Sequence, residues 1–81
     1  MRFIWPDSAR SELRAIDRET AVRILHGLTE YFESGKGDLK GLAGEWQGCF
    51  RLRIGDYRIV MAIAPEEITI IRVRHRSESY R

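Results

Sequence analysis

The run Phe50-Arg51-Leu52-Arg53-Ile54-Gly55-Asp56-Tyr57-Arg58-Ile59-Val60-Met61 decides the fold of this chain. Apolar and basic residues alternate on both sides of Gly55-Asp56, the period-2 pattern of strands with one buried face. Gly55-Asp56 fits a two-residue hairpin loop, and glycine at the first central position suits a type II′ turn. That loop pairs Ile54 with Tyr57, so Arg53 faces Arg58 and Arg51 faces Val60. Phe50, Leu52, Ile54, Tyr57, Ile59, Met61 and Ile63 then share one face, ready to pack on helices.

A third strand follows from about Ile68 to His75. A three-residue loop, Pro65-Glu66-Glu67, places Arg74 opposite Arg58 and Arg72 opposite Val60. A loop of two or four residues would turn Arg74 into the core, where desolvation penalises a guanidinium. The odd-length loop is therefore expected, and with it one exposed face carrying Arg51, Arg53, Arg58, Arg72 and Arg74. Directly opposed like charges destabilise a strand pair by a few tenths to about 1 kcal/mol. Accepting that cost makes sense if the face meets a polyanion. The bland alternative is a solvated face on which Asp56, Glu66 and Glu67 offset the arginines.

On the N-terminal side, residues 1–5 form a short β-prone run ended by Pro6. Asp7 or Ser8 is placed to cap a first helix anchored by Leu13 and Ile16. Asp17 reads as the cap of a second, on which Ala21, Ile24, Leu25, Leu28 and Phe32 recur at helical spacing until Gly35 stops it. Residues 35–45 read as a glycine-rich connection, long enough to be partly mobile. The expected fold is α+β. An N-terminal strand and a helical hairpin precede an antiparallel three-stranded meander, completing one sheet packed on the helices in a single domain over residues 1–81.

Composition agrees with that size and class. A chain of 81 residues buries only about 60% of its unfolded surface and is marginally stable alone. At 43% hydrophobic and 32% charged residues, it is neither disordered nor membrane-spanning. With no signal-like opening segment, a cytoplasmic protein without a membrane partner is expected. The lone Cys49 excludes a disulfide framework and metal-ligand spacing. Residues 1–48 carry seven Lys/Arg against eight Asp/Glu, whereas residues 49–81 carry seven Arg against four. An all-arginine basic region suits bidentate phosphate recognition, so nucleic acid or an acidic protein is the expected partner.

Tyr80 lies six residues past Arg74 in a polar tail. It reads either as a surface aromatic or as a phenol whose pKa the arginines lower. In the second case it can take the proton from a ribose 2′-OH, while one arginine steadies the pentavalent phosphate and another helps the 5′-oxygen leave. Such cleavage needs no cofactor, and the sequence offers no carboxylate cluster for Mg²⁺. On strand parity His75 points to the helix-packed face, which favours a structural role, and His26 reads as structural beside Leu25. Trp5 reads as core and Trp46 as a hydrophobic plug, with base stacking as its alternative. Nothing marks Cys49 as a nucleophile.

Three segments, Leu39-Lys40-Gly41-Leu42, Phe50 through Arg58, and Arg72-Val73-Arg74-His75-Arg76-Ser77-Glu78-Ser79-Tyr80, resemble the RelE/ParE toxin superfamily of type II toxin–antitoxin systems, RelE-like branch. The resemblance implies a fold similar in outline to microbial ribonucleases and a ribosome-dependent mRNA endonuclease. Arg58 matches the arginine implicated in transition-state stabilisation, and Arg74 the one proposed to protonate the leaving group. Tyr80 matches the proposed general base or stacking residue. Arg51 matches one of two basic phosphate holders, with Arg53, Arg72 and Arg76 expected beside it. Cys49 departs from the pattern, standing where active members carry the second holder. Implied partners are an acidic antitoxin, the ribosome and mRNA, with operator DNA reached only through the antitoxin. Two other outcomes stay open: a ParE-like toxin that inhibits gyrase without chemistry, and a weakened member acting only through antitoxin binding.

Overall fold

The structure, a computed structural model, describes residues 2–78. Five strands and two helices follow one another as β1 (Arg2–Ile4), α1 (Asp7–Arg14), α2 (Arg18–Ser34), β2 (Asp38–Gly41), β3 (Phe50–Ile54), β4 (Tyr57–Ile63) and β5 (Glu67–His75). The strands form one sheet in the order β1-β5-β4-β3-β2. β1 runs parallel to β5, and the other neighbours are antiparallel. Among the described residues, no helix is long and apolar enough to cross a membrane.

The β3–β4 hairpin forms in the expected register, with Ile54 opposite Tyr57 and Arg53 opposite Arg58. Gly55 carries φ 59° and, among the described residues, no non-glycine residue, Asp56 included, has positive φ, as a type II′ loop requires. Leu52, Ile59 and Met61 are fully buried in the core, and Phe50, Ile54 and Tyr57 pack against it. Ile63 departs from expectation: at the last position of β4, it is exposed.

The β4–β5 connection corrects the expected loop. Ile63 pairs with Ile68 and the Ala64 N–H donates to the Glu67 carbonyl at 2.9 Å, leaving a two-residue turn, Pro65-Glu66. That even-length turn alone would drive Arg74 into the core. It does not, because the register shifts between Val60, opposite Arg72, and Met61, opposite Ile70, leaving Ile71 as an extra residue in β5. One inserted residue switches side-chain parity. Ile68 and Ile70 feed the core before the bulge and Val73 does so after it. The expected pairing of Arg58 with Arg74 and Val60 with Arg72 is thus reached by another route.

The helices hold as expected, with local corrections. Asp17 caps α2 by accepting the Thr20 N–H at 3.0 Å, and Gly35 ends it at φ 73°. α1 has no side-chain cap. Pro6 occupies that place, its carbonyl accepting the Arg10 N–H at 2.9 Å, and Asp7 sits in the first turn, where a carboxylate suits the helix dipole. α2 buries Ile24 and Leu28. Leu25, one residue and about 100° further round, is exposed with Val22. His26 is exposed as well, which removes its structural reading. Trp5 packs against the core. Trp46 is half-buried in a 3-10 turn, Gly44–Trp46, before β3.

The glycine-rich connection contains an element that composition hides. Asp38–Gly41 forms the edge strand β2, with Leu39 opposite Leu52 and packed on the core. Alternation of Asp38 and Lys40 around Leu39 is the signature of a short edge strand kept polar on its outer face.

Candidate active site on the basic sheet face

Cross-strand register assembles the arginines into two rows. One row runs Asp38, Arg53, Arg58, Arg74 across β2, β3, β4 and β5; the other runs Lys40, Arg51, Val60, Arg72. Residues directly opposite one another in a sheet point to the same side, so all five expected arginines share one face. Val60 lies on that face yet is fully buried. Its two cross-strand neighbours are Arg51 and Arg72, whose aliphatic stems cover apolar surface.

The face is less exposed than expected, because carboxylates draw its arginines down. Arg51 Nη2 lies 3.2 Å from Asp38 Oδ1, and the Arg51 side chain is only 14% exposed. The contact is diagonal in the register, since Asp38 itself opposes Arg53. Arg51 Nε is buried with no hydrogen-bond partner among the described residues. Arg53 is exposed and Arg58 half-buried.

Arg72 and Arg74 share a counter-ion from α1. Glu12 Oε2 lies 3.2 Å from Arg72 Nε and 3.6 Å from Arg74 Nε, while Glu12 Oε1 accepts the Val73 backbone N–H at 2.7 Å. β1 pairs with β5 only as far as Thr69, so α1 covers an edge that β1 leaves open. A cavity of ≈ 290 Å³ lies beside this contact, lined by Glu12, Ala15, Ile16, Tyr57, Val73 and Arg74.

At the end of β5 the chain turns sharply. Arg76 opens a 3-10 turn, its N–H donating to the Asp56 carbonyl at 2.7 Å and its carbonyl accepting Arg58 Nη1 at 3.4 Å. The Arg76 side chain is exposed at the edge of the face. His75 Nδ1 accepts the Ser77 N–H at 3.1 Å, and the ring packs edge-on against Tyr57, centroids 5.2 Å apart. These contacts fit the structural role expected for His75. Tyr80 lies outside the described residues. Cys49 is a half-buried free thiol that ends the loop before β3.

Three participants are not evident from the sequence. Lys40 and Asp38 were hidden with β2, although the polar–apolar–polar triplet around Leu39 signals a strand. Glu12 had no such signal, because its partners lie 60 residues and more away in sequence.

Comparison with known proteins agrees with the fold and gives the family. The family profile described as ParE toxin of type II toxin-antitoxin system, parDE, matches residues 3–80. No curated protein matches the chain by sequence. Among solved structures, a chain of the RelBE2 toxin-antitoxin complex from Mycobacterium tuberculosis superposes with TM-score 0.81 at 24% identity, covering 95% of this chain and 92% of that one. The archaeal RelE-RelB complex from Pyrococcus horikoshii gives TM-score 0.75 at 21% identity over 96% and 97% of the two chains. The YoeB-YefM complex from Staphylococcus aureus gives 0.74 at 16% over 90% and 93%.

Proposed function

The chain belongs to the ParE toxin family of type II toxin–antitoxin systems, within the RelE/ParE superfamily, and on that premise we propose that its basic sheet face cuts mRNA on the ribosome. One observation carries the reading: Arg53, Arg58 and Arg74 stand in a single cross-strand row, with Arg51 and Arg72 in the next. A stability-driven sequence would not stack three guanidinium groups side by side.

Chemistry at that row proceeds without a change of oxidation state. Tyr80, as general base, takes the proton from the ribose 2′-OH, and the 2′-oxygen forms a bond to phosphorus. Arg58 stabilises the charge that develops on the pentavalent phosphate. The bond from phosphorus to the 5′-oxygen breaks, and Arg74 supplies the proton to that oxygen. Products are a 2′,3′-cyclic phosphate and a 5′-hydroxyl. Arg51, Arg53, Arg72 and Arg76 hold the flanking phosphates. An acidic antitoxin is the partner that fits the same face, and similarity to RelBE2, RelE-RelB and YoeB-YefM supports one. Operator DNA is then reached through the antitoxin.

Primer extension on translated mRNA after induction tests this. Codon-phased cuts that vanish in Arg74→Ala and Tyr80→Phe are expected. A second reading, inhibition of DNA gyrase without chemistry, is favoured by the ParE description of the matching family. Intact mRNA with accumulating double-strand DNA breaks would replace the first reading by the second.

A further inference from the structure

We propose that Glu12 is a positioning residue for this face, fixing the guanidinium planes of Arg72 and Arg74 so that their Nη forks meet substrate phosphate in one orientation. The proposal rests on the endonuclease reading and deepens it.

Three contacts carry it. Glu12 Oε1 is tied to the β5 backbone by the Val73 N–H at 2.7 Å. The other oxygen, Oε2, is 3.2 Å from Arg72 Nε and 3.6 Å from Arg74 Nε. A backbone amide cannot swing as a side chain does, so the carboxylate is anchored to the strand that bears both arginines. Both guanidiniums approach it by the Nε edge. Arg72 is hydrogen-bonded there and Arg74 ion-paired, and among the described residues no other hydrogen bond or ion pair engages either guanidinium. Their Nη edges are therefore available to an anion.

Two arginines two residues apart on one strand face repel, and unsupported they would splay into separate rotamers. One carboxylate oxygen between them removes most of that repulsion. It also selects the rotamers in which both Nε groups converge. A guanidinium is planar, so fixing Nε fixes the direction of its Nη fork. Arg74, opposite Arg58, is then held ready for the leaving oxygen instead of finding its place after substrate arrives. Orientation of this kind lowers the barrier by removing the entropy of alignment. The same negative charge weakens attraction for RNA. Glu12 thus gives up some affinity and gains rate.

Glu12→Gln separates these effects. The amide oxygen still accepts the Val73 N–H and the volume barely changes, but the charge between the arginines is gone. Three measurements follow on the full chain. In single-turnover cleavage on programmed ribosomes, the rate at saturation is expected to fall about tenfold to a hundredfold, the scale of a misplacement of about 1 Å. Affinity for an RNA oligonucleotide with a 2′-deoxy residue at the cleavage position is expected to stay equal or tighten. In ¹⁵N spectra, the Nε–H resonances of Arg72 and Arg74 should lose their dispersion and exchange protection. A merely structural role predicts weaker binding, a slower rate and a lower melting temperature together. Cleavage by Glu12→Gln at the wild-type rate overturns the proposal. Wild-type protein that leaves translated mRNA intact overturns the endonuclease reading and the catalytic part with it. The arginine resonances then still decide whether Glu12 holds the two side chains.

Discussion

Arg58 and Arg74 are direct cross-strand partners, with Arg53 opposite Arg58 on its other side. Each like-charged contact costs a few tenths to about 1 kcal/mol. Arg58→Thr removes two of them and leaves a strong strand former. We expect the variant to be more stable by about 0.5–1 kcal/mol in urea denaturation while losing RNA cleavage. The gain should shrink as salt screens the repulsion. A destabilised variant would show that the Arg58 bond to the Arg76 carbonyl outweighs the repulsion in the row.

Lys40 extends the basic face onto β2, opposite Arg51. If RNA crosses this face, each contributed phosphate contact adds about 0.7 to the logarithmic salt dependence of single-strand binding. Lys40→Ala and Arg53→Ala are each expected to lower that slope by roughly 0.7, measured by fluorescence anisotropy across a salt series. Arg2→Ala, at the far edge of the sheet on β1, should leave it unchanged.

Gly27 sits in the middle of α2 where the helix meets β3. A Cβ there would lie 2.8 Å from Ile54 Cδ1 and 3.0 Å from Cγ1 and Cγ2. Alanine raises helix propensity by about 1 kcal/mol, but overpacking typically costs about 1–3 kcal/mol. Gly27→Ala should therefore lower the unfolding midpoint. Adding Ile54→Val, which deletes Cδ1, should recover much of the loss. Simple stabilisation by Gly27→Ala alone would show that α2 rides higher on the sheet.

Deleting Ile71 should be far more damaging than replacing it. Without the extra residue, Arg72 and Arg74 move to the core side and Val73 to the outer face. Burying two guanidiniums without partners exceeds the stability of a domain of this size. Loss of cooperative unfolding by circular dichroism is expected for the deletion. Ile71→Val should change little.

Asp17 caps α2 as a carboxylate. The Thr20 backbone N–H, followed by the Thr20 side chain, stabilises its carboxylate and lowers the pKa from 3.8. A group with a depressed folded pKa contributes stability above its unfolded value and loses it as pH falls through the folded one. Asn caps comparably but does not titrate. The stability difference between wild type and Asp17→Asn should stay constant from neutral pH to about pH 5 and change only below it. A midpoint difference that varies above pH 5 would assign the effect to another group.

Much of this was legible in the sequence, for identifiable reasons. Alternation around Gly55-Asp56 is local, so the hairpin, its core face and the Arg53–Arg58 pair follow from spacing alone. Desolvation then required Arg74 to face outward, which proved sound although the loop length inferred from it did not. A turn and a bulge can each change parity, and only their combination is constrained. β2 escaped because glycine outweighed a short alternation. Ala21, Ile24 and Leu28 were readable as a stripe, whereas Leu25 at its margin was decided by how α2 is rotated on the sheet. Glu12 was illegible because its role exists only after α1 has docked on β5. The chemistry assigned to Tyr80 rests on spacing and resemblance.

The pairing of β1 with β5 has a temporal consequence. Among the described residues, residues 2–4 find their strand partner in residues 67–69, and Glu12 binds the chain at Val73. A nascent chain that has released its helices but not β5 has neither β1 joined to the sheet nor a complete arginine row. Emergence of β5 completes both at once. The β3–β4 hairpin can bring Arg51, Arg53 and Arg58 together by itself, but Arg72, Arg74 and their Glu12 counter-ion join the face only once β5 has left the ribosome.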